Sequence, residues 1–487
     1  MSAAPRINAP SHHPEDDHLL RVDALLSQRS WYSASAGRLA KRPPHASFEG
    51  TAICDVAIVG AGFAGLSAAI ELAMRGMRVR VLEARRIGSG ASGRNGGQVL
   101  AGLACDMGVI ERQLGRERAR QVWGMTTEAL ALIANRRGAI TAATGEDCDW
   151  RPGALNVAIR PHQLRTLRQS HADLVERYGH SALRWIDGAD LGAWLGSRRY
   201  LAGSYDPSGG HLHPLRYALG LGELAARLGV VFHENTRVLA METATIANSP
   251  MTGEQFERSG VFLAGERGGT LIRTGRGMLR ARHVLLAGNA TLNSFGIDAQ
   301  RGQLAPKLAA RVMPVGTYIV ATEPLGRERA EALIPSDAAV CDNSFVLDYY
   351  RRSADHRLLF GGRVSYSGHT PTDLPASMQA RIATVFPQIA GVGLDYLWGG
   401  FVDITMNRAP DFGRLAPNVY YVQGFSGHGV ALAGMAGKLV AEAIAGTAER
   451  FDVFAALKHR AFPGGAALRT PALVLAMAWY QLRDRLG

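Results

Sequence analysis

The chain has 487 residues, of which 47% are hydrophobic, enough for two or three domains or one large composite with a substantial core. Its 54 Lys and Arg exceed its 42 Asp and Glu, which gives a formal net charge of +12. Because these charges are dispersed along the chain, the basic balance does not predict a nucleic-acid partner. No run of 18 apolar residues is present, so no membrane-spanning helix is expected.

Four scattered cysteines without C-x-x-C spacing argue against a disulfide framework or a zinc site, and no metal is expected. The polar N-terminus lacks the basic-then-apolar order of a secretory signal, so we expect cytoplasmic residence. Residues 1–50 are predicted to form an N-terminal tail and a lead-in segment. Residues 461–487 are predicted to form a C-terminal helix that docks on its own domain.

The segment from Asp55 to Glu83 predicts a strand, a tight glycine turn, a helix and a second strand that ends in an acid. Gly60, Gly62 and Gly65 occupy the G-x-G-x-x-G positions, where glycine permits the turn, the approach of a pyrophosphate and close helix packing. The helix N-terminus faces the phosphates with free N–H groups, and Glu83 can accept from ribose hydroxyls. The segment therefore predicts a dinucleotide site. Its expected contacts are Gly60, Ala61, Gly62, Phe63, Ala64, Gly65 and Glu83.

A small-residue loop, residues 90–97, follows where a nicotinamide dehydrogenase would normally continue to another strand and helix. Its glycines admit close contact with an extended cofactor, and Ser92, Arg94 and Asn95 offer hydrogen bonds. A flexible surface loop is the alternative interpretation of this segment taken alone. The cofactor contacts expected here are Ala84, Arg85, Ser92, Arg94, Asn95, Gly96, Gly97 and Gln98.

The middle of the chain predicts helices, a strand near 154–159, a helix over 213–228 and a strand over 230–234. His211 and His213 have the spacing of a metal pair, but no third ligand is in view. We therefore interpret them as the turn that starts the helix. Strand-like runs between 300 and 400 suggest a separate sheet.

Two distant segments predict further cofactor contacts. Residues 284–290 predict an apolar strand that ends in small residues, and 419–423 predict another strand. The second strand runs into the glycine-rich junction 424–429 and then a helix. Such a junction offers N–H groups to an anion, here the charge on the N1–C2=O edge of a reduced flavin. The expected contacts are Ala287, Gly288, Asn289, Gly424, Ser426, Gly427, His428, Gly429 and Val430.

On these residues the chain resembles the D-amino-acid oxidase superfamily of FAD-dependent amine oxidoreductases. The 90–97 loop and the 424–429 junction are similar to that family's two flavin-contact segments. Four further stretches are similar to its γ-glutamylputrescine oxidase branch, namely 31–36, 358–363, 398–414 and 462–465. The resemblance implies FAD as the cofactor, with Val238 packed on the adenine through backbone contacts.

The resemblance also implies the fold, an α/β (α+β composite) architecture. A Rossmann-like FAD-binding domain is expected to be interleaved with a mainly antiparallel-sheet substrate domain. The FAD-binding pieces are predicted at 51–105, 205–300 and 400–460, and the substrate-domain pieces at 106–204 and 301–399.

The chain departs from sarcosine-oxidase-like relatives at two places. Those relatives attach the flavin through a cysteine just before the stretch that matches Thr405 and Met406, where this chain has Val402 and its neighbours. Non-covalent FAD is therefore expected. They also carry a lysine after the second junction, where this chain has Ala431. Stabilisation of a reduced flavin is then expected to depend on the helix dipole and backbone N–H groups.

The expected reaction is the oxidation of an amine to an aldehyde, with release of ammonia and hydrogen peroxide and with oxygen as acceptor. γ-Glutamylputrescine, or a related N-acylated diamine, is the expected substrate. No residue is assigned as a certain catalytic acid or base, although His428 is a candidate. The candidate substrate contacts are Tyr349, Tyr350, Arg351, Arg363, Trp398 and Asp403, with a guanidinium suited to the γ-glutamyl carboxylate.

Three other functions stay open. A sarcosine-type secondary-amine or amino-acid oxidase is one, and the flavin subunit of a multi-subunit dehydrogenase is another. A flavoprotein that modifies tRNA is suggested only by the sequence pI near 9.9. The oligomeric state is not predicted.

Overall fold

The computed structural model describes residues 29–244, 269–292, 304–344, 346–365, 371 and 373–463. The expected C-terminal helix and most of the N-terminal tail lie outside these residues. The helices are α1 (Trp31–Ser35), α2 (Phe63–Ala73), α3 (Met107–Leu114), α4 (Arg116–Thr144), α5 (Pro161–Tyr178), α6 (Pro214–Arg227), α7 (Pro306–Ala309), α8 (Arg327–Leu333), α9 (Leu374–Val385), α10 (Gly429–Ile444) and α11 (Glu449–Ala455).

Seventeen strands form two sheets within the described ranges. They are β1 (Gly50–Val59), β2 (Val79–Leu82), β3 (Gln98–Val99), β4 (Arg151–Ala158), β5 (Arg184–Asp187), β6 (Ala202–His211), β7 (Val231–His233), β8 (Val238–Ala244), β9 (Gly269–Thr274), β10 (Gly277–Leu286), β11 (Val312–Thr322), β12 (Ala339–Asp342), β13 (Tyr349–Arg352), β14 (Leu358–Ser365), β15 (Leu394–Thr405), β16 (Asp411–Ala416) and β17 (Val419–Gln423).

The first sheet has the order β16-β17-β10-β1-β2-β7, with β9 paired to β10 and β8 to β9. Its central pairs, β17 with β10, β10 with β1, β1 with β2 and β2 with β7, are all parallel. Helices α2, α4, α6 and α10 pack against one face in a single hydrophobic cluster. Covering a parallel sheet with helices in this way is the Rossmann-like arrangement that the glycine turn predicts.

The second sheet has the order β15-β11-β14-β13-β12-β4-β6-β3, with β5 paired to β6. Every pairing in it is antiparallel except that of β12 with β4. One face packs with α8 and α9. The other face meets α1 in a smaller aromatic cluster. The fold class is therefore confirmed: a parallel sheet interleaved with a mainly antiparallel one.

The two sheets divide the chain at different points from the predicted ranges. Residues 205–211 and 400–405, expected in the FAD-binding domain, belong to β6 and β15 of the second sheet. Helices α3 and α4, expected in the substrate domain, pack into the cluster that covers the first sheet. The predicted boundaries are set where the composition of the sequence changes. The observed ones differ because a helix packs wherever its apolar face is buried, and because a strand can continue beyond such a change.

The expectation for His211 and His213 can be compared with the structure. His213 is the N-cap of α6, where its side chain accepts from the Arg216 N–H at 3.1 Å, which confirms the helix-start interpretation for this residue. His211 is instead the last residue of β6. No group of acidic, histidine or cysteine residues in the described ranges could hold a metal ion. Among the helices in those ranges, none is long and apolar enough to cross a membrane.

The contact between α2 and α10 depends on Gly437. A Cβ at this position would lie 2.2 Å from the Ala64 carbonyl oxygen of α2. Gly434, one turn earlier on the same helix, has room, because its Cβ would meet nothing closer than Leu132 at 4.0 Å.

We expect Gly437→Ala to lower the free energy of unfolding by about 1–3 kcal/mol, since the two backbones must separate. Gly434→Ala, the matched control, should leave it unchanged or raise it by up to about 1 kcal/mol through helix propensity. Urea unfolding of both FAD-loaded variants measures the difference. Equal midpoints for the two variants would contradict the packing argument.

Candidate functional site

The expected cofactor segments meet at one edge of the first sheet. Strands β1, β2, β10 and β17 end at Val59, Leu82, Leu286 and Gln423, and their mutual pairings are parallel. Their carboxyl ends therefore share an edge, which is where open α/β sheets bind ligands. The glycine turn, Glu83, residues 287–289 and the 424–429 junction each follow one of these ends.

The glycine turn is built from backbone that leaves no room for side chains. Gly60 has φ +107°, and a Cβ there would lie 2.8 Å from the Ala287 carbonyl oxygen. A Cβ at Gly65 would lie 2.0 Å from the Gly60 carbonyl oxygen. At Gly62 the nearest atom would be the Ser92 hydroxyl oxygen at 2.8 Å. The turn after β1 therefore packs directly against the end of β10 and against the 90–97 loop.

The start of α2 collects hydrogen-bond acceptors. The Phe63 N–H donates to Ser92 Oγ at 2.9 Å, and the Ala61 N–H donates to Glu83 Oε2 at 2.8 Å. The other Glu83 oxygen accepts from the Arg85 N–H at 2.9 Å. Burial raises the pKa of Glu83, and these two N–H donors oppose that rise. Each carboxylate oxygen keeps a second lone pair, so the ribose contact remains chemically open.

Asn95 closes the 90–97 loop on itself. Its side-chain amide donates to the carbonyls of Ala91 and Ser92, both at 2.9 Å, and its oxygen accepts from the Gly97 N–H at 2.7 Å. Gln98 donates from Nε2 to the Val340 carbonyl at 2.9 Å. The side chains of Asn95 and Gln98 are used to hold the loop in shape. A cofactor would therefore contact the backbone of the loop.

Arg94 and Arg85 place positive charge beside this loop. Arg94 is 8% exposed, and its Nε donates to the Gly399 carbonyl at 2.6 Å. Burial and the charge of Arg85 lower the pKa of Arg94 to about 10. Guanidinium groups are cations that bind phosphate oxygens well.

The 424–429 junction holds three residues in the left-handed region, with φ values of +73° at Gly424, +53° at Ser426 and +89° at Gly427. The Gly424 N–H donates to Asn289 Oδ1 at 3.3 Å, and the Ser426 N–H donates to the Asp403 carbonyl at 2.8 Å. Helix α10 begins directly afterwards, and its N-cap residue, His428, gives the first turn no side-chain cap. The helix N-terminus therefore offers its N–H groups to an acceptor.

His428 has a positioning contact. Its Nε2 lies 3.0 Å from the Ala101 carbonyl oxygen, so this nitrogen carries the proton and donates. Burial lowers the pKa of the imidazole, which keeps it neutral. The ring thereby ties α10 to the segment that follows β3.

The four segments fit FAD. The turn and α2 would hold the diphosphate, Glu83 the ribose, and the junction with α10 the pyrimidine edge of the flavin. Val238 is the first residue of β8 in the first sheet, and Ala84 is exposed beyond Glu83. All four cysteines are free, and burial raises the pKa of Cys54, Cys105 and Cys148 to about 12. These thiols stay protonated, in agreement with non-covalent binding.

Three of the expected substrate residues lie on the face of the second sheet that meets the 90–97 loop. The Tyr349 ring packs over Gly361 and beside Gly96, where Cβ atoms would lie 2.1 and 2.9 Å from it. Trp398 is fully buried and donates from Nε1 to the Arg94 carbonyl at 3.0 Å. Arg351 donates from Nε to the Gly96 carbonyl at 2.7 Å.

Tyr350 and Arg363 lie on the opposite face, and the structure corrects the expectation for both. The Tyr350 hydroxyl donates to Tyr200 Oη at 2.9 Å within the core under α9. Arg363 donates to Ser377 Oγ of α9 at 3.0 Å. Asp403 is buried at the end of β15, and its backbone carbonyl supports the 424–429 junction.

One residue beside this site was given no role from the sequence. Tyr32 of α1 accepts from Arg351 Nη2 at 3.2 Å, and its ring meets Trp398 edge-on at 5.3 Å. Its position directly after Trp31, in an aromatic pair ahead of the nucleotide-binding segment, was the available signal.

Comparisons with known proteins agree with this geometry. Residues 55–443 match the family described as FAD dependent oxidoreductase. The chain is 41% identical to γ-glutamylputrescine oxidoreductase of Escherichia coli, over 94% of this chain and 98% of that protein. It is 35% identical to a probable oxidoreductase, OrdL, of Haemophilus influenzae over 94% and 97% of the two chains.

Solved structures show the same fold. Glycine oxidase from Bacillus cereus superposes with a TM-score of 0.63 at 19% identity, covering 84% of this chain and 99% of that one. L-Proline dehydrogenase from P. horikoshii gives a TM-score of 0.60 at 18% identity, over 82% and 94%.

We expect Gly62→Ala to weaken FAD binding at least tenfold, because the methyl group stands where the backbone must approach the pyrophosphate. Only the Ser92 side chain has to move to accept it, so the fold should persist. Gly138→Ala in α4 is the control, since a Cβ there meets nothing within 4 Å and the residue lies outside the expected cofactor segments. FAD titration of the apoproteins measures both. If Gly62→Ala binds FAD with the wild-type dissociation constant, the pyrophosphate does not bind at this turn.

Proposed function

The chain belongs to the family of FAD-dependent oxidoreductases, and on that premise we propose that it oxidises γ-glutamylputrescine. In the proposed reaction the primary amine loses two electrons and two protons to give an imine. Water then converts the imine to an aldehyde and ammonia. Molecular oxygen takes the two electrons and two protons and becomes hydrogen peroxide.

The observation that carries the substrate is the 41% identity with the E. coli γ-glutamylputrescine oxidoreductase over nearly the full length of both chains. The solved structures support only the fold, because their sequences are less than 25% identical to this one. Bound FAD supplies the two-electron acceptor for the C–H bond next to the amine nitrogen. The protein's own part is to bind the amine beside the flavin and to orient it.

Tyr349 is the residue that we place against the substrate. It lies on the face of the second sheet that meets the 90–97 loop, and it is partly exposed there. Burial raises the pKa of its phenol, so the hydroxyl stays neutral and can donate to or accept from an amine. Trp398 lies deeper on the same face and supports the loop from behind.

The γ-glutamyl carboxylate needs a partner other than the two arginines first considered. Arg363 points to α9 on the far face, and Arg351 is committed to protein acceptors. Recognition of the carboxylate is thus left to groups elsewhere in the site.

Anaerobic mixing with γ-glutamylputrescine should bleach the visible absorbance band of the flavin, and admission of air should restore it while peroxide forms. Bleaching without recovery in air would point to a quinone or a partner protein as acceptor. If the flavin is not bleached, γ-glutamylputrescine is not the substrate. Sarcosine, glycine and proline, mixed in parallel, test the secondary-amine and amino-acid alternative, and salt-sensitive tRNA binding tests the tRNA alternative.

We expect Tyr349→Phe to lower kcat/KM for the amine by about threefold to tenfold, the value of one lost hydrogen bond. Tyr350→Phe is the matched control, because it removes a neighbouring buried hydroxyl on the opposite face and should leave kcat/KM unchanged. Steady-state peroxide formation by both variants provides the measurement. If kcat/KM falls equally in the two variants, Tyr349 does not contact the substrate.

A further inference from the structure

Arg351 is a buried cation whose every donor is in use. It is 2% exposed. A guanidinium has five N–H donors, and the structure supplies five acceptors for them. They are the Gly96 carbonyl at 2.7 Å, the Leu212 carbonyl at 3.1 Å, the Arg352 carbonyl at 3.1 Å, the Tyr32 hydroxyl at 3.2 Å and His211 Nδ1 at 3.5 Å.

None of these five acceptors is a carboxylate. Burying a cation is costly unless it is hydrogen-bonded in full, so Arg351 has little freedom to leave this geometry. Its planar fork also fixes directions: Nε reaches Gly96, while Nη2 reaches both Leu212 and Tyr32. The guanidinium therefore acts as a rigid spacer between three separate segments.

The 90–97 loop depends on this spacer. The Leu212 N–H donates to the Gly97 carbonyl at 2.9 Å, so Arg351 and Leu212 hold adjacent residues of the loop. Gly97 has φ +75°, and a Cβ there would lie 2.1 Å from the Leu212 carbonyl oxygen and 3.0 Å from Arg351 Nη2. The end of the loop thus rests directly on this pair.

Helix α1 sets the position of the spacer. Its Ser30 and Ser33 form a capping box, and the Trp31 indole donates to Asp355 at 3.2 Å. Ser35 is held by Arg216, whose Nη2 donates to its carbonyl at 2.6 Å. Tyr32 is fully buried between these anchors. Its hydroxyl meets Arg351 and its ring meets Trp398, whose indole donates to the Arg94 carbonyl of the same loop.

We infer that Tyr32 is a positioning residue for the cofactor: it orients Arg351 and supports Trp398, and these two side chains hold the 90–97 loop in the shape that binds FAD. Helix α1 lies outside residues 55–443, the range that matches the family. The inference rests on the proposed contact of the loop with FAD and is independent of the substrate.

FAD titration of the apoproteins tests it directly. We expect Tyr32→Phe, which keeps the ring and removes the hydroxyl, to raise the FAD dissociation constant by about threefold to tenfold. Trp398→Phe should raise it by a similar factor through loss of the bond to the Arg94 carbonyl. Arg351→Lys, which keeps the charge and loses the fork, should raise it more than tenfold. In the Arg351→Lys background, Tyr32→Phe should change it less than twofold, because the bond it removes is already gone.

Tyr350→Phe is the control, since it removes a buried hydroxyl from the strand of Arg351 without touching the loop. Its dissociation constant should stay within twofold of the wild-type value. Visible circular dichroism of the bound flavin is the second readout: the spectrum should change in Tyr32→Phe and not in Tyr350→Phe. If Arg351→Lys does not fold, Tyr32→Phe and Trp398→Phe still decide the matter.

Wild-type FAD affinity in both Tyr32→Phe and Trp398→Phe would overturn the inference. Equal weakening in Tyr32→Phe and Tyr350→Phe would also overturn it, because the effect would then be general destabilisation. Neither result bears on the proposed amine oxidation, which is tested by flavin bleaching in the wild-type protein.

Discussion

The cofactor site depends on one constraint, the close approach of the backbone after β1 to the backbone after β10. Gly60 passes so close to Ala287 that no side chain fits, and Gly65 brings α2 still closer to Gly60. These approaches align the ends of β1 and β10, and the bond from Gly424 to Asn289 adds the end of β17. Segments far apart in sequence thereby meet at one edge of the first sheet. Helix α2 begins at that edge, and a helix N-terminus there suits the diphosphate of an extended cofactor.

Electrostatics follow from this geometry. Arg94 is buried with Arg85 nearby, and its lowered pKa records both the burial and the repulsion. Arg351 is buried with only neutral acceptors. Hydrogen bonding of every donor offsets the cost of burying Arg351. The two arginines therefore differ in their surroundings: Arg94 has a second cation nearby, whereas Arg351 is held by neutral acceptors that make it rigid.

The sequence predicts the structure well where a local pattern of residues determines it. The turn from Asp55 to Glu83 is local, because its glycine spacing, helix and strands lie within 30 residues. The faces of the second sheet are not local. β14 is shifted against β11 between Gly361 and Arg363, where Ile319 pairs with Gly361 and Tyr318 with Arg363. This bulge puts Arg363 on the face of Tyr318, although a regular strand would leave it on the face of Gly361. The commitment of Arg351 depends on Tyr32 and Leu212, which are distant in sequence, so no pattern could reveal it.

Ala431 shows how the junction must act on a reduced flavin. It is buried in the first turn of α10, where the resemblance places a lysine in sarcosine-oxidase-like relatives. His428, the nearest titratable group on the same helix, is neutral because burial lowers its pKa. The N-terminus of α10 would supply positive potential here, about half an elementary charge. In the orientation that the resemblance implies, negative charge on the flavin is thus met by dipoles. Dipoles held by Asn289, Asp403 and the left-handed residues of the junction need no rearrangement when that charge develops.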